Sequence, residues 1–540
     1  MRAGASKILT EIISRGRVPR GGGYLLDAKL ELQANKPLEM TAQALPEDVY
    51  IAIFGYLLLK DVLNLRQVCS KFNQLTRSRA LWINLLQKEI LKRGIPIPRS
   101  RNASIESFSS AELESSMRHA LKLHRNWNSA SPVATRRRAF TVTDANAAHS
   151  SRIVSLHFIT LDRQTFLLSV CIKQHSDPRL ALLELWDIDA DVPACVARRQ
   201  VRWSGGYAVN TRPTTHDGIL TIKTPHVEIW TIDLTSRQPD SAFITLATLP
   251  SQAKSVLSFT GSTLILRGLN DEINILDANR PLFEVELRHP QPVLPTNQPY
   301  NFESIINKNY AILLRATTLE LYSLSSFRSE DRSQQVVSPV FVHTFPWRID
   351  SSRMEQGIGY FDSGRDHLDA TRPINILLRF SSLFPWPVNL LQHYVLHPDS
   401  TYSSELPVTA GNIPYRFSPI LKQTIASPVR LFAVTDMALG PYGSALWLDS
   451  HTEDYFMQGE IGQRLAGLVL TPVLASDDDN RTGADVPAAP LLSDSPEHSQ
   501  AAMVFDVQEQ DDWLKIAMDE WEGRIAVGSV TGRVVLYDYA

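Results

Sequence analysis

The side chains able to do nucleophilic, acid–base or metal chemistry are few and scattered along the 540-residue chain. Three cysteines occur, Cys69, Cys171 and Cys195, without a Cys-x-x-Cys pair, so neither a disulfide framework nor a structural zinc site is implied. No histidine or basic group near Cys69 in sequence is placed to lower its pKa, and it reads as a small buried hydrophobe. His157, His216, His226, His367 and Asp362 lie in strand-rich sequence without a recognisable spacing. There is no zinc-binding His-Glu-x-x-His helix, no phosphate-binding glycine loop, no Gly-x-Ser-x-Gly elbow and no dinucleotide turn. The expectation is a non-catalytic chain with no cofactor and no metal. What the sequence offers instead is apolar surface at regular spacing.

Bulk composition agrees. Hydrophobic residues make up 44% and charged residues 21%, ordinary values for a globular chain. Lys plus Arg is 54 against 57 for Asp plus Glu, a net charge of -3, which gives no electrostatic case for a nucleic-acid or anionic-membrane partner. The Arg136-Arg137-Arg138 run reads as a solvated charge cluster in a linker. No apolar run reaches the ~18 residues of a membrane helix; Leu465 to Leu474 is short and broken by Pro472. The sparse cysteines point to a reducing compartment, the cytoplasm or nucleus. The N-terminus carries Arg2, Lys7, Arg15, Arg17 and Arg20 but is interrupted by Glu11 and does not read as a secretory signal. Residues 1–38 are expected to form a disordered tail.

The elements that position the apolar surface begin near Leu45. Leu45-Pro46-Glu47-Asp48 places proline in a first helical turn, with acids at the positive end of the helix dipole. Val49, Ile53, Phe54 and Leu57 follow at three- and four-residue spacing. A second helix, with Asp61 as its cap, carries Leu65, Val68, Phe72 and Leu75. A third, from about Ala80, carries Leu81, Trp82, Leu85, Leu86 and Ile90 and stops at Gly94. Three short amphipathic helices make a poor independent core, and such a unit keeps part of its apolar face for a partner. After a polar stretch, Ser109 with Glu112 forms a capping box for a fourth helix, and Leu113, Met117, Ala120, Leu121, His124 and Trp127 hold one face.

From about Ala139 the grammar changes to short β-type runs punctuated by turns. A weak repeat ends strands in an apolar-aromatic-acid signature: Leu185-Trp186-Asp187, Ile229-Trp230 with Asp233, Ile275-Leu276-Asp277, Leu321-Tyr322, Leu446-Trp447-Leu448-Asp449 and Val535-Leu536-Tyr537-Asp538. The first four fall about 45 residues apart, the period of a four-stranded propeller blade. One blade is degenerate, with inner strands placed near Ile374 to Phe380 and Tyr394 to Leu396. The last unit has three strands joined by Glu522-Gly523 and Thr531-Gly532 turns and lacks a fourth, for which Arg138 to Val142 is the candidate, closing the ring. The count is seven blades. Trp186, Trp230 and Trp447 are expected in inter-blade packing. The stretch 476–500, with Asp477-Asp478-Asp479 and three prolines, reads as a disordered acidic insert.

The segment Leu45-Pro46-Glu47-Asp48-Val49 through Ile53-Phe54-Gly55-Tyr56-Leu57, then Leu65-Arg66-Gln67-Val68-Cys69-Ser70-Lys71-Phe72 and Leu81-Trp82, resembles the F-box. The layout as a whole resembles F-box proteins with propeller-like C-termini, although the Gly-His start of true WD repeats is missing. The resemblance implies a multidomain chain, α then β: an F-box module at 39–98, a linker helix at 99–132 and a divergent, seven-bladed WD-like β-propeller at 133–540. It also implies docking to the Skp-type adaptor of an SCF complex, through Leu45, Pro46, Val49, Ile53, Leu57, Leu63, Val68, Cys69, Phe72 and Trp82, and through the adaptor to cullin and RING subunits. Phe54, Leu65 and Leu75 are assigned to the module's own core, Leu45 and Pro46 to the interface. The expected role is that of a substrate receptor in a ubiquitin ligase, the propeller holding a client protein. Two rivals remain: an F-box/propeller scaffold acting outside any ligase, and a propeller hydrolase, which requires carboxylates and histidine gathered at the channel mouth.

Overall fold

The computed structural model describes residues 46–98, 105–142, 151–162, 164–173, 178–213, 218–249, 254–268, 272–280, 284–289, 302–328, 336–357, 371–380, 390–429, 435–450, 462–470 and 503–540. Leu45, His216, Asp362, His367, the 1–38 tail and the 476–500 insert lie outside them. The chain divides into two compact units: residues 46–93 with 105–118, and residues 94–98 with everything from His119 onward. No helix among the described residues is long and apolar enough to cross a membrane.

The first unit is helical. α1 spans Glu47–Phe54, α2 Leu59–Leu65, α3 Ser70–Leu75 and α4 Arg79–Glu89. The stretch expected as one second helix is therefore two, because the backbone turns extended at Cys69 (φ -159, ψ 164) and restarts there. Cys69 is exposed rather than buried, and its Sγ accepts the Phe72 N–H at 3.5 Å, capping α3. Asp61 lies in the first turn of α2, and Leu58 occupies its N-cap. The core is aromatic: the Phe72 ring lies 5.5 Å from that of Tyr50 and 5.4 Å from that of Phe54. Phe54, Leu65 and Leu75 are buried in it, as the periodicity requires.

α5, Ser110–Trp127, starts with the capping box: the Ser109 N–H donates to Glu112 Oε2 at 2.7 Å, and the Glu112 N–H donates to Ser109 Oγ at 3.3 Å. Its Glu114 takes both Arg66 guanidinium donors, at 2.8 and 2.7 Å. Arg66 also donates to the Thr76 carbonyl and stands over the Trp82 ring. The arginine of the Leu-Arg-x-Val-Cys signature thus holds the helical unit together.

The second unit is a seven-bladed β-propeller of antiparallel four-stranded sheets, one blade carrying an extra strand. Blade 1 is Ser151–Leu161, Gln164–Lys173, Leu180–Asp187 and Ala194–Arg202. Blade 2 is Tyr207–Val209, Leu220–Lys223, Val227–Ile232 and Phe243–Leu249. Blade 3 is Ser255–Thr260, Thr263–Arg267, Ile273–Asp277 and Glu284–Leu287, with Val336–Val337 added in parallel. Blade 4 is Glu303–Ile306, Tyr310–Leu314, Thr318–Ser323 and Phe341–Thr344. Blade 5, the degenerate one, is Ile349–Gln356, Ile374–Phe380, Leu390–Leu396 and Ile420–Ala426. Blade 6 is Met437–Leu439, Ser444–Ser450, Gln463–Val469 and Met503–Gln508.

Blade 7 joins the two ends of the domain. Trp513–Asp519, Arg524–Ser529 and Arg533–Asp538 take Arg136–Thr141 as their outer strand, in register from Arg136 opposite Asp538 to Thr141 opposite Arg533. The three arginines expected in a solvated linker belong to this strand, and each has a carboxylate: Arg136 pairs with Asp191, Arg137 with Asp506 at 3.5 Å, and Arg138 with Asp538 at 2.6 Å. Strand geometry, invisible in a charge count, aims Arg137 and Arg138 at partners on neighbouring strands and Arg136 at a carboxylate in the connection after Asp187. Trp186, Trp230 and Trp447 are buried among residues of adjoining blades. The Glu522-Gly523 turn has Gly523 at φ 67, and a Cβ there would meet Leu123 Cδ1 at 2.3 Å. Glycine is required both for the turn and for the approach of α5.

Candidate functional site

Two places gather functional side chains. The first is the surface of α1 and the connections around α2. α1 has two apolar stripes where one was expected. Tyr50, Phe54 and Leu57 point inward and are buried. Pro46, Val49, Ile53 and Tyr56, spaced by three, four and three residues, lie along a different side; Pro46, Val49 and Tyr56 are exposed and Ile53 half-buried. Tyr56 reaches 82% exposure. Val68 is exposed where α2 ends, beside exposed Cys69, and Leu63 is half-buried.

The expected adaptor set therefore divides. Pro46, Val49, Ile53, Leu63, Val68 and Cys69 present apolar surface, whereas Leu57, Phe72 and Trp82, expected at the interface, are core residues at 8%, 3% and 0% exposure. The Trp82 indole N–H donates to the Thr76 carbonyl at 3.0 Å inside the module. Helical spacing identifies apolar positions but not which of two apolar sides the neighbouring helices cover. Tyr56 and Leu58 are also exposed, although tyrosine in a helix-ending turn and the middle leucine of Leu57-Leu58-Leu59 carry no periodic signal.

The second place is the propeller's central channel, lined by the first strands of the blades. Each blade contributes a polar residue at or beside its first strand. His157 of blade 1 bonds through Nε2 to Ser155 Oγ at 2.8 Å and to the Tyr207 hydroxyl of blade 2 at 3.0 Å. Ser304 of blade 4 donates to Ser258 of blade 3 at 2.8 Å. Arg353 of blade 5 pairs with Glu303 of blade 4 at 2.9 Å and with Asp436, just before blade 6, at 3.2 Å. Asp436 also faces Lys515 of blade 7 at 3.5 Å and accepts the Ile516 N–H at 3.0 Å. Arg353 keeps 38% of its side-chain surface accessible, as a group lining a channel should. Nearer one end, Arg212 donates to Gln356 at 2.9 Å, linking non-neighbouring blades 2 and 5 across the axis.

Desolvation and ion pairing set the electrostatics of these groups. Burial, followed by repulsion from Arg353, pushes the His157 imidazole down to about 4. Burial lifts Glu303 above the usual carboxylate range even beside Arg353. Burial opposes the Arg353 charge, but Glu303 and Asp436 more than offset it. Carboxylates and a histidine are thus gathered in the channel, as the hydrolase rival requires, but both carboxylates are engaged in ion pairs and the imidazole is held neutral. His226 lies apart from them, in the turn between the second and third strands of blade 2, with its carbonyl taken by the Thr224 N–H. Among the described residues no group of histidine, cysteine and carboxylate side chains has the makings of a metal site. Burial raises both remaining thiols, Cys195 to about 11 and Cys171 further.

His157 makes acid sensitivity measurable. Its folded pKa lies below the ordinary 6.5, so its contribution is fully present above pH 6.5 and is lost as pH falls toward 4, where the unfolded chain binds the proton and the folded one does not. His157→Gln is expected to flatten the stability–pH slope between pH 6.5 and 4, read from urea midpoints; an unchanged slope would contradict the assignment.

Residues 42–88 match the F-box-like family model. No curated protein sequence matches the chain significantly. Among solved structures, the Cps50 (Swd1) β-propeller domain of Myceliophteria thermophila aligns over 75% of this chain and 100% of its own at 9% identity and a TM-score of 0.38. A chain of the Chaetomium thermophilum Polycomb Repressive Complex 2 bound to GSK126 aligns over 75% and 98% at 10% identity and 0.45. BamB from Moraxella catarrhalis aligns over 75% and 100% at 8% identity and 0.32. At these TM-scores the likenesses carry no argument about function; the propeller rests on its own strand pairing. The chain carries an F-box-like domain at residues 42–88, followed by a seven-bladed β-propeller.

Proposed function

We propose that this chain is the substrate-recognition subunit of an SCF-type cullin-RING ubiquitin ligase, working in the cytoplasm or nucleus. Its F-box-like module docks on a Skp-type adaptor, its propeller holds a client protein, and catalysis belongs to the partner subunits. The observation that carries the reading is the apolar stripe of exposed Pro46, Val49 and Tyr56 with half-buried Ile53, on a module that already has an aromatic core. Apolar surface with no stability role inside the module is what a partner helix would cover. Each large side chain buried there contributes about 1.5–3 kcal/mol. On the propeller, Trp347, 65% exposed after the last strand of blade 4, is the kind of aromatic anchor around which a client interface is built.

The test is binding of the full chain to a purified Skp-type adaptor. Val49→Asp with Val68→Asp, both at exposed positions, is expected to weaken binding by roughly a hundredfold or more while helicity is retained, about 2.7 kcal/mol in binding free energy. Undiminished binding would move the interface elsewhere. With purified cullin added, recovery of cullin together with the adaptor supports the ligase reading; adaptor without cullin supports the scaffold alternative.

A further inference from the structure

Blade 7 turns from its first strand toward its second at Glu520, whose side chain is buried at 2% exposure. It lies against the turn between the first two strands of blade 6, Gly440 to Ser444. The Tyr442 N–H donates to Glu520 Oε2 at 2.7 Å, and the Ser444 N–H donates to Oε1 at 2.8 Å. The fit is close: a Cβ on Gly440 would stand 2.3 Å from Oε2, so glycine alone leaves room for the carboxyl. What this carboxyl lacks is a cation. Glu184, Glu320 and Asp449, buried in blades 1, 4 and 6, each have an arginine at 2.7 to 2.9 Å, whereas Glu520 has no ion pair among the described residues. The same turn also holds a separate piece of chain. Tyr442 sets its ring edge-on to that of Trp521 at 4.9 Å, and its hydroxyl bonds to the backbone of Ile97. Residues 94–98, where the chain first passes from the helical unit to the propeller unit, are thereby tied to blade 6.

We propose that Glu520 is a proton-operated latch: protonated, it closes the Gly440–Ser444 turn onto blade 7 and keeps Tyr442 on Ile97; ionised, it opens the turn and releases residues 94–98. A carboxylate buried without a counter-ion is far costlier than the neutral acid, so losing the proton favours the open, hydrated turn. Burial accordingly pushes the Glu520 carboxyl up to about 7, although the Ser444 hydroxyl and the two amides favour the ion. The surrounding charges do not reverse this. Asp519, next to it in the same turn, favours the proton further, and across from it burial and Glu520 itself hold the Tyr442 phenol neutral. Arg372 acts on the Tyr442 hydroxyl, and residues 94–98 bring no charged side chain. Because the folded pKa lies above the ordinary 4.5, the latch is firmest below pH 4.5, weakens as pH rises, and is weakest above about 7. This regulation belongs to the propeller unit and holds whether or not the chain binds an adaptor.

The experiment is hydrogen exchange of the full chain at pH 5.5 and pH 8, corrected for the intrinsic rate, over residues 94–98 and 437–446. In wild type, protection of both segments is expected to fall about tenfold or more between the two pH values. Glu520→Gln, neutral throughout and similar in shape, should remove the pH dependence of both. Tyr442→Phe keeps the ring against Trp521 but loses the bond to Ile97; residues 94–98 should then be unprotected at either pH while 437–446 still responds. Equal protection of wild type at the two pH values overturns the proposal, and that result needs no variant to fold. An undiminished pH response in Glu520→Gln also overturns it, since the proton would then bind elsewhere. So does a wild-type chain in which 437–446 opens at pH 8 while 94–98 stays protected, which would leave Glu520 without hold on the segment.

Discussion

Replacing Arg315 by methionine is expected to destabilise the propeller by about 3–5 kcal/mol. Arg315 and Glu320 form a pair at 2.9 Å with side-chain exposures of 3% and 0%. Glu320 is saturated: Tyr322 donates to Oε2 at 2.5 Å, Thr318 to Oε1 at 2.7 Å, and His289 Nε2 lies 3.1 Å from Oε1. Burial alone would lift this carboxyl, yet the bond to His289, the charge of Arg315 and the two hydroxyls hold it at about 2. Removing the guanidinium leaves a buried carboxylate without its arginine partner.

The pH dependence of that loss has a definite sign. A carboxyl depressed from 4.5 to about 2 contributes stability that is complete above pH 4.5 and fades as pH falls toward 2. The gap between wild type and Arg315→Met should therefore be widest above pH 4.5 and shrink under acid. A double variant, Arg315→Met with Glu320→Leu, removes both charges and should recover most of the loss, because the desolvation of the two ions goes with their attraction. Urea midpoints of the propeller transition at pH 7 and pH 3 provide the check. Equal losses at both pH values would show that Arg315 acts through packing rather than charge.

Trp127→Ala is expected to cost about 3–5 kcal/mol by the cavity it opens. Trp127 ends α5 at 3% exposure, its ring 5.9 Å from that of Phe505 on blade 6 and 6.3 Å from that of Tyr539 beyond blade 7. Asn126 beside it donates to the Val133 and Tyr539 carbonyls, both at 2.8 Å. The end of α5 therefore anchors the chain a few residues before Arg136–Thr141 enters blade 7, and loosening it should loosen the seam of the ring. Hydrogen exchange over Arg533–Asp538 should rise with the drop in thermal stability. Trp127→Phe makes the mechanism testable: the buried indole nitrogen has no hydrogen-bond partner among the described residues, so phenylalanine keeps the ring contact and loses no bond. Its expected cost is about 1 kcal/mol. A cost equal to that of alanine would mean that the indole is held by more than packing.

Local rules were strong enough for the sequence to determine a good deal unaided. The Leu-Pro start and the Leu-Arg-x-Val-Cys segment identify the F-box-like module, because a short helical unit needs specific side chains at fixed spacing. The Ser109/Glu112 capping box and the Glu522-Gly523 turn are also local, set by bonds within a few residues or by one glycine torsion. The seven blades follow from strand periodicity, and the closing strand follows from a last sheet one strand short. Each of these features is decided by neighbours in sequence or by a count.

Tertiary structure alone decided the rest. α1 carries two apolar stripes of similar hydropathy, and only the packing of α3 and α4 determines that Tyr50, Phe54 and Leu57 are covered while Val49 and Tyr56 are not. Cys69 reads as a hydrophobe until the chain breaks there and needs an acceptor for an orphan amide. The arginines at 136–138 look like a loose charge run because their carboxylates, Asp191, Asp506 and Asp538, arrive from distant parts of the chain. The same holds for the channel, where Glu303, Arg353, Asp436 and Lys515 come from four different blades. Charge pairing in the channel runs from blade to blade, perpendicular to the direction in which sequence patterns are read.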